Sequence, residues 1–519
     1  ITYSQDRLSK VHREKKYSYN NSYNHTKPRI AYISSDFHDH ATMHLMAGLF
    51  ENQNNKELDN LFLSTIPLLQ NKNIQKFLKE ELLFLMLQKS IVTDYIIEKI
   101  LTIVRHEILL IFIDSDKNLI RNYYNFIVSL SEQCFLNEYI FSISTREDKY
   151  VKKLLLYMEK SKKIDEVGLA ILGCYMPLNV SNILKKKLLK YKTKNKLFSN
   201  LISLQIAEPL REKKLVKSLK SFSKINDKIS KKVRKQYEEN PYPRWRYTYS
   251  NLPSNFIEVL SHQLKPNIVQ TNFKFEKPTL LIAGCGTGSH IFVTKEYLNS
   301  KIFAIDLSLT SLAYAKRKII EAGIKDVEFL HADILELKNF NRKFDIIESI
   351  GTLHHMKNPE KGLTILTNLL KPHGFLKLGL YSTIAREHIT QTKMQVKKNK
   401  YKSNVNDIKK FREMIKEKAN NNFFSKILER NDFYSTSSVK DLIFHEQEHT
   451  FTIPQISKML KNLNLEFLGF SNSLIKAKYK EFYNSDIKNL NLENWHNFEK
   501  ENPDTFIGMY KFWVRKKFN

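Results

Sequence analysis

The chain is short of the residues that staple or punctuate a backbone. It has only three cysteines in 519 residues, Cys134, Cys174 and Cys285. They lie far apart and form no CxxC pair. That excludes a disulfide framework and a cysteine zinc site, and makes a reducing cytoplasm the expected compartment. Glycine and proline number 13 each, so the few places where they cluster mark turns with a purpose. No run of about 18 apolar residues occurs, so no membrane-spanning helix is expected. Acidic residues are outnumbered, 54 against 84 Lys and Arg, which leaves a formal net charge of +30. The excess lysine is spread along the whole chain. Its densest runs, Lys185-Lys186-Lys187 and Lys231-Lys232, read as solvated helix faces. Nucleic acid is therefore an open partner but not the favoured one. The N-terminus, Ile1-Thr2-Tyr3, has neither an apolar signal segment nor an initiator Met. The expectation is the downstream part of a longer chain.

Residues 1–26 are polar and read as a linker. Within 27–58, Arg29 to Ser35 reads as a short buried strand and His44 to Phe50 as the start of a helix. Residues 59–229 read as an α-helical domain, with apolar residues at i, i+3 and i+4 in Tyr95–Ile103 and Val180–Leu189 and no fixed repeat period. The stretch Gln236-Tyr-Glu-Glu-Asn-Pro-Tyr-Pro-Arg-Trp245 ends that pattern. Two prolines two apart cannot continue a helix, because each lacks an N–H and restricts the residue before it. From 230 to 519 the chain alternates strand and helix. Strands are predicted at 279–283, 301–305, 327–330, 344–348, 375–381, 465–470 and 506–515, with helices at 311–322 and 453–462 and a polar insertion, or lid, at about 385–440. Such alternation predicts an α/β fold, a Rossmann-like seven-stranded sheet with helices on both faces, preceded by the helical domain.

One strand runs into Gly284-Cys285-Gly286-Thr287-Gly288, which opens a helix. Glycines there allow a sharp turn and the close approach of a ligand. Asp306 ends the second strand, where a carboxylate can accept from both hydroxyls of a ribose. Asp333 and Ile334 follow the third strand. The set resembles the S-adenosylmethionine (SAM) motifs of class I methyltransferases. The resemblance implies SAM as cofactor, held by Ala283, Gly284, Cys285, Gly286, Gly288, Asp306, Leu307, Asp333, Ile334, Glu348 and Gly351. Asp333 would bind the adenine amino group, and its neighbour would pack on the ring. The family often has an acid at the end of the first strand; here that position is Ala283. Glu348-Ser-Ile-Gly-Thr-Leu-His-His-Met356 resembles the segment after strand four of methyltransferases acting on small molecules and lipids. It makes His354 and His355 candidate general bases, or else pocket-lining residues.

A wider resemblance links Gln133–Tyr139, Tyr237–Trp245, Leu378–Ser382 with Ala385-Arg386, Asp441–His449 and Phe506–Trp513 to a bacterial class of methyltransferases attached to tetratricopeptide repeats. It implies that the helical region and the methyltransferase domain travel together, with such repeats upstream. Tyr237, Tyr242 and Trp245 then form either a lid over SAM or a rigid aromatic linker. His445-Glu-Gln-Glu-His449 matches HExxH in letters. Thr450 to Pro454 follows at once with no third ligand placed, so no metal is expected, and the segment is expected to order the lid or line the acceptor pocket. Pro28 to Met46 resembles the start of the catalytic region of O-GlcNAc transferases, with His40 and His44 matching. Nothing further of such an enzyme follows, so a remnant is expected. The acceptor stays open between a small molecule, lipid or glycan and a protein or RNA. A non-catalytic interaction module stands as the third reading. The sequence lacks the Asn-Pro-Pro-Tyr type of tetrapeptide after strand four, which lowers the nucleic-acid option.

Overall fold

In the computed structural model, which describes residues 67–114, 117–248, 251–418 and 422–517, the alternating half of the chain builds one sheet. Its strands are β1 (Lys220–Ser221), β2 (Thr279–Ala283), β3 (Lys301–Asp306), β4 (Val327–His331), β5 (Phe344–Ile350), β6 (Leu370–Leu380), β7 (Leu465–Phe470) and β8 (Tyr510–Lys516). The order across the sheet is β1-β4-β3-β2-β5-β6-β8-β7. β1 to β6 pair in parallel, and β8 is antiparallel to both β6 and β7. The chain leaves β2 toward β3 and β4, then returns to lay β5 on the other side of β2. That reversal opens a crevice at the carboxyl ends of the central strands.

The central strands are apolar end to end because both of their faces are covered. On one face Leu281, Ala283 and Ile347 pack with Leu363, Leu366 and Phe512. On the other, Leu280, Ile282 and Ile346 pack with Phe256 and Trp513. The eighth strand is β1, which the sequence did not announce. It lies at the end of the segment read as helical, and both its residues are exposed, so it has no apolar pattern to read. Backbone pairing of Ser221 with His331 puts it at the edge. β8 starts at Tyr510 rather than Phe506, since Pro503–Phe506 makes a 3-10 turn.

The preceding helical region includes α1 (Tyr95–Asp114), α2 (Tyr124–Leu136) and α3 (Glu166–Gly173), and α4 (Lys228–Glu239) leads from it toward the sheet. α5 (Ser289–Thr294) and α6 (Leu309–Glu321) follow β2 and β3. The polar insertion is helical: α7 (Glu387–Lys398), α8 (Val405–Glu417) and α9 (Thr436–Leu442). Its buried residues Ile389, Ile408, Phe411, Ile415 and Ile427 belong to the same core as Ile97, Leu101, Phe126 and Leu172. In α8 the apolar residues 408, 411 and 415 form a single stripe amid charge, and a stripe of that kind must be covered. The insertion expected as a lid is thus part of the helical body. A buried ion pair pins it there: Arg412 Nη1 and Nη2 donate to Glu98 Oε1 and Oε2 at 3.1 and 2.6 Å, and Lys416 adds a 2.6 Å contact.

Among the described residues no helix is long and apolar enough to cross a membrane. The expected linker at 1–26, the strand at 29–35, the helix start at 44–50 and the O-GlcNAc-transferase-like stretch all lie outside the described residues.

Candidate active site

The turn between β2 and α5 takes its shape from glycine. Gly284, Gly286 and Gly288 have φ of +86°, +51° and +85°, a region that L side chains rarely enter. A Cβ at Gly286 would stand 2.8 Å from the Tyr242 carbonyl oxygen, and one at Gly288 would stand 2.7 Å from the Ala315 Cβ on α6. The turn is tied to β3 by the N–H groups of Gly284 and Cys285, which both donate to Ile305 O. Gly286 N–H donates to Asp306 Oδ2 at 2.8 Å, and Ser308 N–H donates to Oδ1 at 2.9 Å. Burial raises the pKa of the Asp306 carboxyl, and these N–H groups pull against it. Each oxygen keeps a second lone pair for a ligand.

The crevice at the strand ends is a cavity of about 300 Å³, within the range of small-molecule sites. Gly284, Cys285, Gly286 and Gly351 line it together with Asp306, Leu307, Asp333 and Ile334. Asp333 Oδ1 accepts the Leu335 N–H at 2.9 Å. Its Oδ2 is buried with no hydrogen-bond partner. A buried carboxylate oxygen without a partner is costly, and an exocyclic amine would satisfy it. The residues present therefore fit the expected cofactor.

Five of the singled-out residues do not line the cavity. Ala283 points into the opposite core, because successive side chains of a strand alternate. Ile282 is the β2 residue that faces the cavity. Gly288 is spent on packing against α6. Glu348 is buried beside Ile282, its register partner across β2 and β5. It accepts from Tyr297 Oη at 2.5 Å and contacts His290 Nε2 at 2.5 Å. Burial would raise its pKa, but Lys377 and His290 hold it down to about 2. The acid missing from the end of the first strand thus stands one strand over, and reaches the cavity wall through His290.

Tyr237 and Tyr242 line the cavity; Trp245 does not. Trp245 Nε1 donates to Thr287 Oγ1 at 3.1 Å, and its ring packs edge-on against Phe292 and Tyr314. Thr287 Oγ1 in turn donates to Pro243 O at 2.5 Å. From the other side Arg244 pairs with Glu138, Arg246 with Glu132, and Tyr242 Oη donates to Asp432 at 3.0 Å. The Tyr-Pro segment is a strap, clamped to the helical body and to the glycine turn at once.

His355 lines the cavity, whereas His354 is sealed behind it. His354 stacks on Tyr381 at 3.8 Å, and no hydrogen bond reaches either of its ring nitrogens among the described residues. His355 Nδ1–H donates to Gln447 O at 2.9 Å, so its Nε2 is bare. Burial lowers the His355 pKa to about 4 and that of His354 further. After α9 the backbone of 443–450 is not helical, so His445 and His449 share no helix face and the HExxH geometry is absent. His355, Asp441 and His445 nonetheless bring one ligand atom each within 4.8 Å of the others. The two imidazoles stack at 3.7 Å and 19°, which runs their lone pairs side by side rather than toward one ion. Tyr237 Oη bonds both Asp441, at 2.6 Å, and His445, at 3.1 Å. Asp441 and Tyr381 line the cavity and had no assigned role in the sequence, although both fall in segments that carried the wider resemblance.

Residues 276–432 match the family model of a methyltransferase domain. The glycine turn, Asp306 and Asp333 all lie within this matched stretch, which is similar to methyltransferase domains. An uncharacterised protein of Synechococcus is 26% identical over 278 residues, covering 48% of this chain and 62% of that protein. One of Rickettsia prowazekii is 29% identical over 161 residues, covering 30% of this chain and 61% of that protein. The chain thus spans about three fifths of these relatives' length. The solved structure of PKMT2 from Rickettsia typhi in complex with AdoHcy is 18% identical, over 53% of this chain and 55% of that one, with a TM-score of 0.41.

Proposed function

We propose that this chain binds SAM in the cavity and transfers its methyl group to a small molecule, lipid or glycan. The observation that carries the reading is the buried, unpartnered Asp333 Oδ2 in the cavity that Asp306 and the glycine turn also line. Asp306 holds the two ribose hydroxyls, Asp333 takes the adenine amino group, and Ile334 packs on the ring. Gly284, Gly286 and Gly351 let the backbone come close, and His290, backed by Glu348, offers a further polar group on the cavity lining. When bound, the cofactor supplies a methyl group on a sulfonium whose charge is lost on transfer. The protein's own task is to align the acceptor and keep water out, which the strap residues Tyr237 and Tyr242 do.

The acceptor class rests on charge. A nucleic-acid enzyme needs free cations beside its pocket. Here Arg244, Arg246 and Lys393 are paired with Glu138, Glu132 and Glu448, and Lys440 with Asn240. The test is calorimetric titration of the purified chain with SAM, with Asp306→Ala as the control. Micromolar binding abolished by the substitution supports the reading. A folded wild-type chain that binds no SAM ends it and leaves an interaction module in its place.

A further inference from the structure

We propose that Asp441 is the group that takes the proton from the methyl acceptor, and that Tyr237 and His445 are the positioning residues that hold it ready. The inference rests on the methyl-transfer reading and names the base within that site.

Asp441 sits in the last turn of α9 and lines the cavity with Tyr237, Tyr242 and Tyr381. It has no ion pair with any cation among the described residues. Arg386 and Lys393, the cations that α7 brings to this region, are both engaged by Glu448, at 3.0 and 2.9 Å. The other carboxylates acting on Asp441 are Asp432 and Glu448, which repel its charge. A carboxylate walled in by phenols and acids, without a cation, is proton-avid. Burial first, then Asp432 and Glu448, raise its pKa to about 7, against the Tyr237 hydrogen bond and Arg386.

The hydrogen bonds around it have a fixed direction. His445 Nδ1 accepts the Gln447 N–H at 3.1 Å. Burial lowers the His445 pKa well below the ordinary imidazole value, so the ring is neutral and carries its one proton on Nε2. That proton points at Tyr237 Oη, 3.1 Å away. The only proton of Tyr237 is therefore directed at Asp441 Oδ1, 2.6 Å away. The arrangement steadies the carboxylate form through Oδ1 and leaves Oδ2 for the acceptor.

The chemistry balances without a further reactant. A hydroxyl or ammonium acceptor gives its proton to Asp441 Oδ2, which becomes a carboxylic acid. The lone pair of the acceptor forms the bond to the methyl carbon, and the pair of the breaking carbon–sulfur bond stays on sulfur. His355 is the competitor on the same wall. Its Nδ1–H is committed to Gln447 O, and burial lowers its pKa to about 4 where that of Asp441 is raised, so it is the weaker proton acceptor of the two. His354 does not reach the cavity.

The test uses the full chain and needs no acceptor. Infrared difference spectra between pH 5.5 and 8.5 should contain a carboxylic-acid C=O band that titrates near pH 7 and is lost in Asp441→Asn. Tyr237→Phe, which removes a hydrogen bond to the charged form, should move the midpoint to higher pH. SAM, which brings a positive charge, should move it to lower pH, and S-adenosylhomocysteine should shift it less. If Asp441→Asn does not fold, the Tyr237→Phe shift alone decides. A band unmoved by Tyr237→Phe, or the absence of any carboxyl titrating above pH 5.5, overturns the assignment. Calorimetry on the same sample separates that result from a chain that binds no SAM, which would overturn the methyltransferase reading and this assignment together.

Discussion

Asp306 Oδ2 accepts the N–H of Gly286 at 2.8 Å, so the carboxylate at the end of β3 also fixes the turn that follows β2. One side chain thereby holds the glycine turn and lines the cavity. Gly286→Ala should disturb both. A non-glycine residue at φ +51° costs about 1–2 kcal/mol. The new Cβ would also push on the Tyr242 carbonyl, 2.8 Å away. The expected outcome is a folded chain whose SAM affinity by calorimetry falls by roughly tenfold or more. Wild-type affinity would show that the turn does not hold the cofactor.

Glu348 tests the polar end of the site. Its folded pKa of about 2 lies below the ordinary 4.5. A depressed carboxyl adds stability that is present above pH 4.5 and is lost as pH falls through about 2. The shift corresponds to ~3 kcal/mol at neutral pH. Glu348→Gln should therefore be less stable than the wild type at pH 7 by about that amount in urea unfolding. The gap should shrink steadily between pH 4.5 and pH 2. A gap independent of pH would mean that the nearby Lys377 charge and the His290 contact contribute little.

The Glu98–Arg412 pair joins α1 to α8 at full burial, 1% and 0% side-chain exposure. Removing one partner of such a pair strands a buried charge, at a cost of about 3–5 kcal/mol. Arg412→Met should approach that loss, trimmed by Lys416, which stays at 2.6 Å from Glu98. Adding Glu98→Gln to Arg412→Met should recover part of it. Amide exchange across 405–417 should accelerate in the single variant if the insertion is pinned here, and stay unchanged if the shared apolar core alone holds it.

Trp245 decides whether the strap moves. Trp245→Phe keeps an aromatic ring beside Phe292 and Tyr314 but loses the bond to Thr287, at about 1 kcal/mol, and weakens the contact with Lys318, whose Nζ lies 5.1 Å from the ring centroid. Trp245→Ala removes all of these. If the strap gates the cavity, stopped-flow should show SAM leaving roughly tenfold faster from Trp245→Ala, with a smaller change in Trp245→Phe. Equal dissociation rates in all three chains would make the strap a passive linker.

The strands at 279–283 and 465–470 and the helix at 453–462 fall where the sequence puts them. Each is a local pattern: an apolar run with abrupt ends, or a 3.6-residue stripe behind the Thr452 cap. The glycine turn, Asp306 and Asp333 were legible for the same reason, since each lies at or just past the carboxyl end of a strand and parallel strands share their carboxyl ends. β1 was not, because two exposed residues held only by backbone pairing have no side-chain signature.

What the sequence by itself determined is the parallel α/β order and the three motifs that meet at the end of its sheet, because those follow from periodicity and chain direction. Only the tertiary structure decided which side chains of those motifs face the cavity. Strand alternation turned Ala283 away and Ile282 inward, and the stacking of Tyr381 hid His354 while leaving His355 on the wall. It also brought Asp441 to Tyr237 across 204 positions of sequence. No local pattern encodes that contact, because it depends on the insertion sharing its core with helices at the other end of the chain.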